Sequence, residues 1–358
     1  MDAQEEPVRV DWRKLQALAR AIFSGAGLPH GEAEIIADSL VAANLAGVHS
    51  HGVSRISDYL ERMEGGLITR ATKIDVVRET ATTALLDANN GWGQVASQKA
   101  VEVVVGKARD FGSAWVGVRN SNHYGTAAYW TSRIASEGMV GISSTNASPV
   151  MAPFGSRRAS LGTNPISIAV PSGSGAPVIL DMATSIQARG KIILAAKNGE
   201  AIPEGWAITK DGRPTTDSRE ALEGSMLPAA GPKGSGLAIM LDVLTGVLTG
   251  ARFGLGVPRM YEDPEPQQLG HIFAAINVEA MMPLGEFVAR MSEKEHETRE
   301  SPPAEGFDRV LMPGDVEREK EEAHRGSGIP LSKEVYEEVL GTARRYGVSA
   351  KVSNSVSL

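Results

Sequence analysis

His49-Ser50-His51-Gly52, with Arg55 four residues beyond His51, is a compact polar cluster. An imidazole moves protons near neutral pH, and an arginine fork matches a carboxylate with two parallel hydrogen bonds. The plainer reading is a polar loop leading into the next helix with Ser54 as its cap, and residue types alone leave both open. A third imidazole, His123, stands in Ser121-Asn122-His123-Tyr124-Gly125, after a strand expected over 113–119 and before a helix over 125–137. That is the carboxyl end of a strand, where α/β proteins hold ligands. Turn residues Asn122 and Gly125 with His123 as a helix cap are the alternative. His49, His51 and His123 together are enough for a catalytic zinc site. No H-E-x-x-H, no carboxylate clustered with the histidines and no cysteine accompanies them, so proton transfer is the better reading and no metal is assigned.

Other polar loops surround strands. Thr145-Asn146-Ala147-Ser148-Pro149 and Leu161-Gly162-Thr163-Asn164-Pro165 offer amides and hydroxyls to a carboxamide or ribose, or serve as plain turns. Asp181-Met182-Ala183-Thr184-Ser185 closes an apolar strand and opens a helix expected over 186–197. Asp181 there can orient an imidazole, while Thr184 and Ser185 can hold a phosphate at the helix N-terminus or cap it. Gly231-Pro232-Lys233-Gly234-Ser235-Gly236 sets a lysine among exposed amides, an arrangement suited to phosphate. It lacks Walker A spacing, and no G-x-G-x-x-G follows a strand anywhere in the chain. These residues alone therefore do not make a dinucleotide enzyme the first choice.

The elements that must position these groups can be read from periodicity. Asp11 is a helix cap followed by Leu15, Leu18, Ala19, Ile22 and Phe23 at helical spacing, and Gly25 ends the run. A second helix is expected over 32–46, and a third carries Ile56, Tyr59, Leu60 and Met63 up to Gly65-Gly66. From residue 73 the period changes to strands over 74–78 and 83–87, a helix over 94–109, then strands over 113–119, 139–144, 166–170, 178–181 and 272–277. Further helices are expected over 234–248, 284–295 and 333–346, a surface loop over 295–304, and a solvated charged helix face over 317–325.

At 358 residues the chain can bury one large core or two to three smaller ones. Its net charge of −7 argues against nucleic acid or an anionic membrane as partner. The absence of cysteine removes disulfides, thiolate metal sites and a thiol nucleophile. The first residues are acidic and polar, without the look of a signal peptide. The longest apolar stretch, 237–248, is interrupted by Asp242 and too short to span a bilayer, so the cytoplasm is the expected compartment. The 39 glycines, scattered rather than repeated, suit tight turns and close backbone approach to a ligand.

Taken in order, seven segments resemble the malate/L-lactate dehydrogenase family, which lacks a Rossmann fold and includes ureidoglycolate and sulfolactate dehydrogenases, 2,3-diketogulonate reductase and piperideine-2-carboxylate reductases. They are SHGVSRISDYLERMEGG (50–66), SNHYG (121–125), PFGSRRASLGTNPISIAVP (153–171), DMATS (181–185), ARGKI (188–192), GWAI (205–208) and KGSGLAIMLDVLTGVLTGA (233–251). The resemblance implies an α/β (α+β) fold. A small helical domain over 1–73, joined by a C-terminal helix over 325–350, would sit beside a large mixed-sheet, non-Rossmann nucleotide-binding domain over 74–324.

The same resemblance implies hydride transfer between NAD or NADP and a small 2-hydroxy or 2-oxo acid. His51 would be the acid–base residue assisted by Ser50 and, in some members, Asp181. His123 would lie where nicotinamide and substrate meet, and relatives differ on which of the two histidines carries the proton. Arg55, with Thr163 and Asn164, would hold the substrate. Asn122, Ser148, Asp181, Met182, Ala183, Thr184, Ser185, Lys233, Pro313, Gly314 and Asp315 would hold the cofactor. A homodimer or higher assembly is implied, with the site completed across subunits. His49 replaces an expected aspartate, Ala147 a hydroxyl residue, and Ala229-Ala230-Gly231-Pro232 a more glycine-rich approach to Lys233. Reduction of a cyclic imino acid would use the same geometry on a C=N bond, and a histidine-ligated metal hydrolase is the reading from a different class.

Overall fold

The computed structural model describes residues 6–260 and 262–348. The first elements described are a short strand, β1 (Val8–Val10), and helix α1 (Trp12–Gly25), whose first turn is capped by the Asp11 carboxylate accepting from the Arg13 and Lys14 amides at 3.0 Å each. Helix α2 (His30–Leu45) follows, then two 3₁₀ turns, His49–His51 and Val53–Arg55, and helix α3 (Ile56–Glu64). Leu15, Leu18, Ile22 and Phe23 of α1 close on Ile36 and Leu40 of α2 and on Ile56, Tyr59 and Leu60 of α3, all buried in one core. The helical stripes read from sequence are the faces that meet here.

Next come β2 (Asp75–Glu79), β3 (Thr83–Asp87), α4 (Gly93–Phe111), β4 (Ser113–Ser121), α5 (Ala127–Ser136), β5 (Met139–Thr145), β6 (Ile166–Val170) and β7 (Val178–Met182). A smaller region holds α6 (Arg189–Asn198), β8 (Ala207–Ile208), β9 (Pro214–Thr215), α7 (Ser218–Glu223) and β10 (Ser225–Met226). Helix α8 (Pro232–Asp242) then runs into a π-helical turn, Val243–Val247, before β11 (Leu269–Asn277). The large sheet has the order β2-β3-β4-β11-β5-β6-β7, parallel only between β3 and β4. A strand from late in the chain thus fills its centre, so a succession of βαβ units cannot describe it. Helices α4 and α5 cover one face of this sheet, through Ala96, Ala100, Val104, Trp130 and Ile134 against Val116, Val118 and Phe273.

The last elements described are α9 (Leu284–Arg299), α10 (Asp315–Ser327), β12 (Ile329–Leu331) and α11 (Lys333–Arg345). Several expectations need correction here. The single helix expected over 325–350 is broken by β12, because Val8 and Val10 offer an open strand edge that pairs with Leu331 and Ile329; residues 349–350 of that expected helix lie outside the described residues. Val339 and Ala343 of α11 then complete the helical core. The loop expected from 295 is helix as far as Arg299, since Glu295 is buried and paired with Arg299 at 2.9 Å. No helix opens at residue 186: α6 begins at Arg189. Among the described residues no helix is long and apolar enough to cross a membrane.

Trp92 joins the two cores. It stands one residue before α4, is fully buried, and meets Phe23 edge-on at 5.7 Å and Tyr59 at 6.1 Å between ring centres. Its neighbour Gly93 allows the approach on the other side. A Cβ there would fall 2.1 Å from the Asn122 carbonyl oxygen and 2.5 Å from that of His123. The start of α4 is therefore wedged between α3, which follows the turns that carry His51, and the loop after β4, which carries His123.

Candidate active site

His51 ends the first 3₁₀ turn, and His123 follows β4. Their rings lie 5.4 Å apart between centroids, inclined by 32°. Each is anchored through Nδ1: that of His51 by the Ser50 hydroxyl at 3.0 Å, that of His123 by the Tyr59 hydroxyl at 2.6 Å. Neither Nε2 has a protein partner among the described residues. Arg55 reaches back to the same loop, donating from Nε to the Ser50 carbonyl at 2.6 Å, with Asp58 3.5 Å from Nη1. The first turn of α6 borders the loop too: a Cβ at Gly190 would lie 3.9 Å from the Ser50 Cβ.

The surroundings favour neutral rings. Although solvent reaches part of each, protein covers most of both, and removing a cation from water costs more than removing a neutral imidazole. Desolvation first, then the Arg55 charge, brings the His51 pKa down to about 4. Desolvation likewise holds His123 well below its ordinary value, reinforced by repulsion from His51, Arg55 and His271. At neutral pH the pair is two uncharged imidazoles.

Asn44, near the end of α2, shapes the 49–53 loop. Its Oδ1 accepts from the Val53 amide and its Nδ2 donates to His49 Nδ1, both at 2.8 Å. Gly52 leaves room for it, since a Cβ at that position would stand 2.1 Å from the Asn44 oxygen. His49 is thereby turned toward Asn44 and His324, its ring 6.1 Å from the latter's, and among the described residues His49, His51 and His123 do not form a metal-holding group. Ser54 donates to the His49 carbonyl instead of capping α3, and the His123 ring accepts from the Gly125 amide, two residues before α5 begins.

Beneath the His123 loop, His271 of β11 is fully buried and hydrogen-bonded to Ser121 Oγ and Thr145 Oγ1, each at 2.7 Å. It stacks on Tyr124 with centres 4.6 Å apart and an 11° tilt. Burial brings its pKa down to about 3. Asp181 of β7 accepts from the Ala128 amide at 2.9 Å, in the first turn of α5. Its carboxyl has an exposed edge but little water around the remainder. That desolvation pushes its pKa up to about 6, against the Ala128 hydrogen bond and with help from Glu317.

The remaining sequence candidates divide into side chains that stay accessible and side chains engaged within the protein. Lys233 is exposed on the first turn of α8, after Gly231 at φ +62°. Met182, Ala183 and Thr163 are half-buried. Thr184 and Ser185 do not cap a helix: their hydroxyls donate to the carbonyls of Thr163 and Gln187 at 2.9 and 2.8 Å. Ser148 donates to the Pro258 carbonyl at 2.7 Å. Asn164 is fully buried and bridges the Ala147 amide and the Ala238 carbonyl, so its amide holds the loop together and has no face left for a substrate. Asn122 is buried too, and its side-chain amide donates to the carbonyls of Asn90 and Gly91. Pro313 accepts from the Ile179 amide beside β7. Gly314 packs so closely that a Cβ would lie 3.0 Å from the Ile179 carbonyl oxygen. Asp315 is buried against Arg299 and Arg318, and those hydrogen bonds and that of the Met312 amide bring its pKa down to about 2 despite the burial.

Sequence reasoning missed Asn44, Tyr59 and His271. Tyr59 was visible only as part of an apolar stripe, and its hydroxyl was the signal that the stripe had a polar tip. His271 sits inside an otherwise apolar strand, an unusual place for an imidazole. For Asn44 there was no signal beyond a polar residue on the helix's buried side.

Comparison with known proteins adds the family and its relatives. The family pattern described as malate/L-lactate dehydrogenase matches residues 10–340. The chain is 40% identical to a malate dehydrogenase of Pyrococcus abyssi, over 96% of each chain. It is also 40% identical to an L-sulfolactate dehydrogenase of Methanocaldococcus jannaschii, over 90% of this chain and 93% of that one. The solved structure of sulfolactate dehydrogenase from Methanocaldococcus jannaschii superposes with a TM-score of 0.90 at 37% identity, covering 97% of this chain and 99% of the other.

Proposed function

This chain belongs to the malate/L-lactate dehydrogenase family, and from that premise we propose that it is an NAD(P)-dependent oxidoreductase of a small 2-hydroxy acid and its 2-oxo counterpart. The observation that carries the reading is the pair of imidazoles 5.4 Å apart, each fixed through Nδ1 with no partner on Nε2 among the described residues, beside the Arg55 guanidinium. In this reading His51 exchanges a proton with the substrate oxygen, Ser50 steadies its ring, and Arg55 takes the carboxylate in a two-pronged grip. A neutral His51 is the form that accepts the hydroxyl proton of a hydroxy acid. An anionic substrate nearby strengthens its hold on that proton.

The residues present suit a dinucleotide. Asn122 Oδ1 and Gln267 Oε1, the latter in the side chain that reaches Ser148, are buried acceptors without partners, and a carboxamide or ribose hydroxyl supplies such donors. Lys233 is a cation at the amide-rich end of α8, where an anion is favoured. We assign the cofactor to Asn122, the 181–185 segment, Lys233 and the 313–315 turn. Ser148 and Asp315 contribute by shaping their loops, as do Thr163 and Asn164 on the substrate side. When bound, the nicotinamide carries the hydride.

We assign residues 1–73 and α11 to the part that presents His51 and Arg55, residues 74–324 to the part that presents His123, and the cytoplasm as the compartment. A second copy of the chain is proposed to cover Ile239, Met240, Val243, Val247 and Leu248, which are 37–65% exposed along α8 and its π-helical end. An apolar stripe of that extent marks an interaction surface.

The test is a panel of purified protein with NADH or NADPH and oxaloacetate, pyruvate or piperideine-2-carboxylate, following loss of the reduced nicotinamide. Turnover of a 2-oxo acid supports the reading; turnover of the cyclic imine alone replaces it with imine reduction. No turnover in any combination, in either direction, overturns it.

A further inference from the structure

We infer that Tyr59 is a positioning residue that fixes the tautomer of His123, so that the neutral ring carries its proton on Nε2 and presents an N–H donor to the cleft. The inference rests on the reading of His123 as a ring that meets the substrate, and it divides the work between two histidines that are otherwise alike.

Two groups converge on one nitrogen. The Tyr59 hydroxyl lies 2.6 Å from His123 Nδ1, and the Gly125 amide donates to the same atom at 3.4 Å. A backbone N–H has no lone pair to offer, so Nδ1 faces it as an acceptor. The phenol, able to donate or accept, must then donate to the same lone-pair side. Tyr59 is 1% exposed, and burial raises its pKa well above the ordinary phenol value, keeping the proton available. The buried Gln94 amide lies beside that phenol with neither nitrogen nor oxygen in hydrogen-bonding geometry to another group. With Nδ1 unprotonated, the neutral imidazole's hydrogen is on Nε2.

The charged and titratable groups around the pair favour the neutral form. His51 and Arg55 face His123 from the 49–55 turns and His271 faces it from β11; Arg55 faces Tyr59 from the turn before its helix and Asp58 from the helix itself. Among the described residues, none of the groups named around His123 is an anion that would pair with an imidazolium. His123 is therefore suited to hold the substrate oxygen by a hydrogen bond. His51, whose Nδ1 partner is a serine hydroxyl free to donate or accept, keeps the tautomeric freedom that proton exchange requires. On oxidation the hydroxyl proton passes to His51 Nε2, and on reduction it returns from there to the oxygen.

Nitrogen-15 NMR of the full-length protein labelled at its histidine rings tests this without any substrate. His123 is assigned by the resonances that vanish in His123→Gln. The expected wild-type result is an unprotonated, hydrogen-bonded Nδ1 and a protonated Nε2. In Tyr59→Phe the Nδ1 resonance moves toward that of a free imidazole acceptor and the second tautomer appears. A wild-type His123 with its proton on Nδ1 overturns the inference, as does a Tyr59→Phe spectrum unchanged at Nδ1. The wild-type spectrum alone can overturn it, so the outcome does not hang on the variant folding. Where the panel above finds a substrate, Tyr59→Phe is expected to lower kcat about fivefold, the worth of one neutral hydrogen bond, with KM little changed. Loss of binding with kcat intact overturns the assigned role. If the spectra behave as expected and no substrate turns over, the tautomer assignment stands and the dehydrogenase reading falls.

Discussion

At the scale of single residues, the environment of His51 makes the most direct prediction about activity. Its pKa is brought down to about 4, so the neutral base persists below the pH at which an ordinary histidine, near 6.5, becomes charged. For oxidation of a hydroxy acid the base form is needed, and it is lost only as pH falls through the lowered value. The expected profile of kcat/KM, which reports the free enzyme, stays level from pH 7 to below 6 before it declines. A decline centred near 6.5 would contradict the assignment. His51→Ala should lower kcat at least ~100-fold over the same range, the usual worth of a positioned acid–base group. Residue types alone named the candidates, but neither the depressed pKa nor the anchoring of each Nδ1 can be read from them. The pKa arises from burial that the whole fold creates, and although Ser50 is the next-door neighbour of His51, Tyr59 lies 64 residues from its partner His123.

At the scale of elements, the loop after α2 and the strand β11 are the supports whose failure should be measurable. Gly52→Ala puts a methyl where the Asn44 oxygen stands, so Asn44 must release the Val53 amide or the turn must shift. A loss of about 1–3 kcal/mol is expected, together with a fall in kcat, and urea unfolding beside steady-state rates would show both. The sign of the His271 effect follows from its pKa of about 3 in the folded chain against about 6.5 unfolded. Between those values the unfolded chain binds a proton that the folded chain excludes, so stability declines as pH drops through that window. In His271→Asn this component is absent, and melting temperature should fall less steeply from pH 6.5 to 4 than in the wild type. Equal slopes would show that the ring is not buried neutral. Helices α1 to α4 and most strands were legible because their apolar stripes and alternations are local patterns. The short strands β1, β8, β9, β10 and β12 were not, because two or three residues carry no period.

At the scale of the whole molecule, the exposed stripe from Ile239 to Leu248 predicts association. Leu248, 65% exposed, is the place to introduce a charge. Leu248→Glu should move the protein from dimer to monomer in sedimentation, because a carboxylate buried without a partner opposes assembly. A wild type that sediments as a monomer at micromolar concentration would count against the second copy. The joining of the helical and sheet regions rests on Trp92, which reaches Phe23 and Tyr59 while the next residue lies against the His123 loop. That contact explains how the turns before α3 and the loop after β4, separated by α3, the β2–β3 hairpin and α4, deliver His51 and His123 to one place.

By itself the sequence determined the amphipathic helices, the order of the main strands, the absence of cysteine chemistry and the polar segments in which a site would lie, since each is written in neighbouring residues. Only the tertiary structure decided that His51 and His123 meet while His49 turns away, that Asn164 and Asp315 serve the chain's own packing, and that β11 fills the centre of the sheet. These outcomes depend on which distant surfaces exclude water together. Burial, tautomer and hydrogen-bond partner are properties of that shared space, which no single stretch of sequence contains.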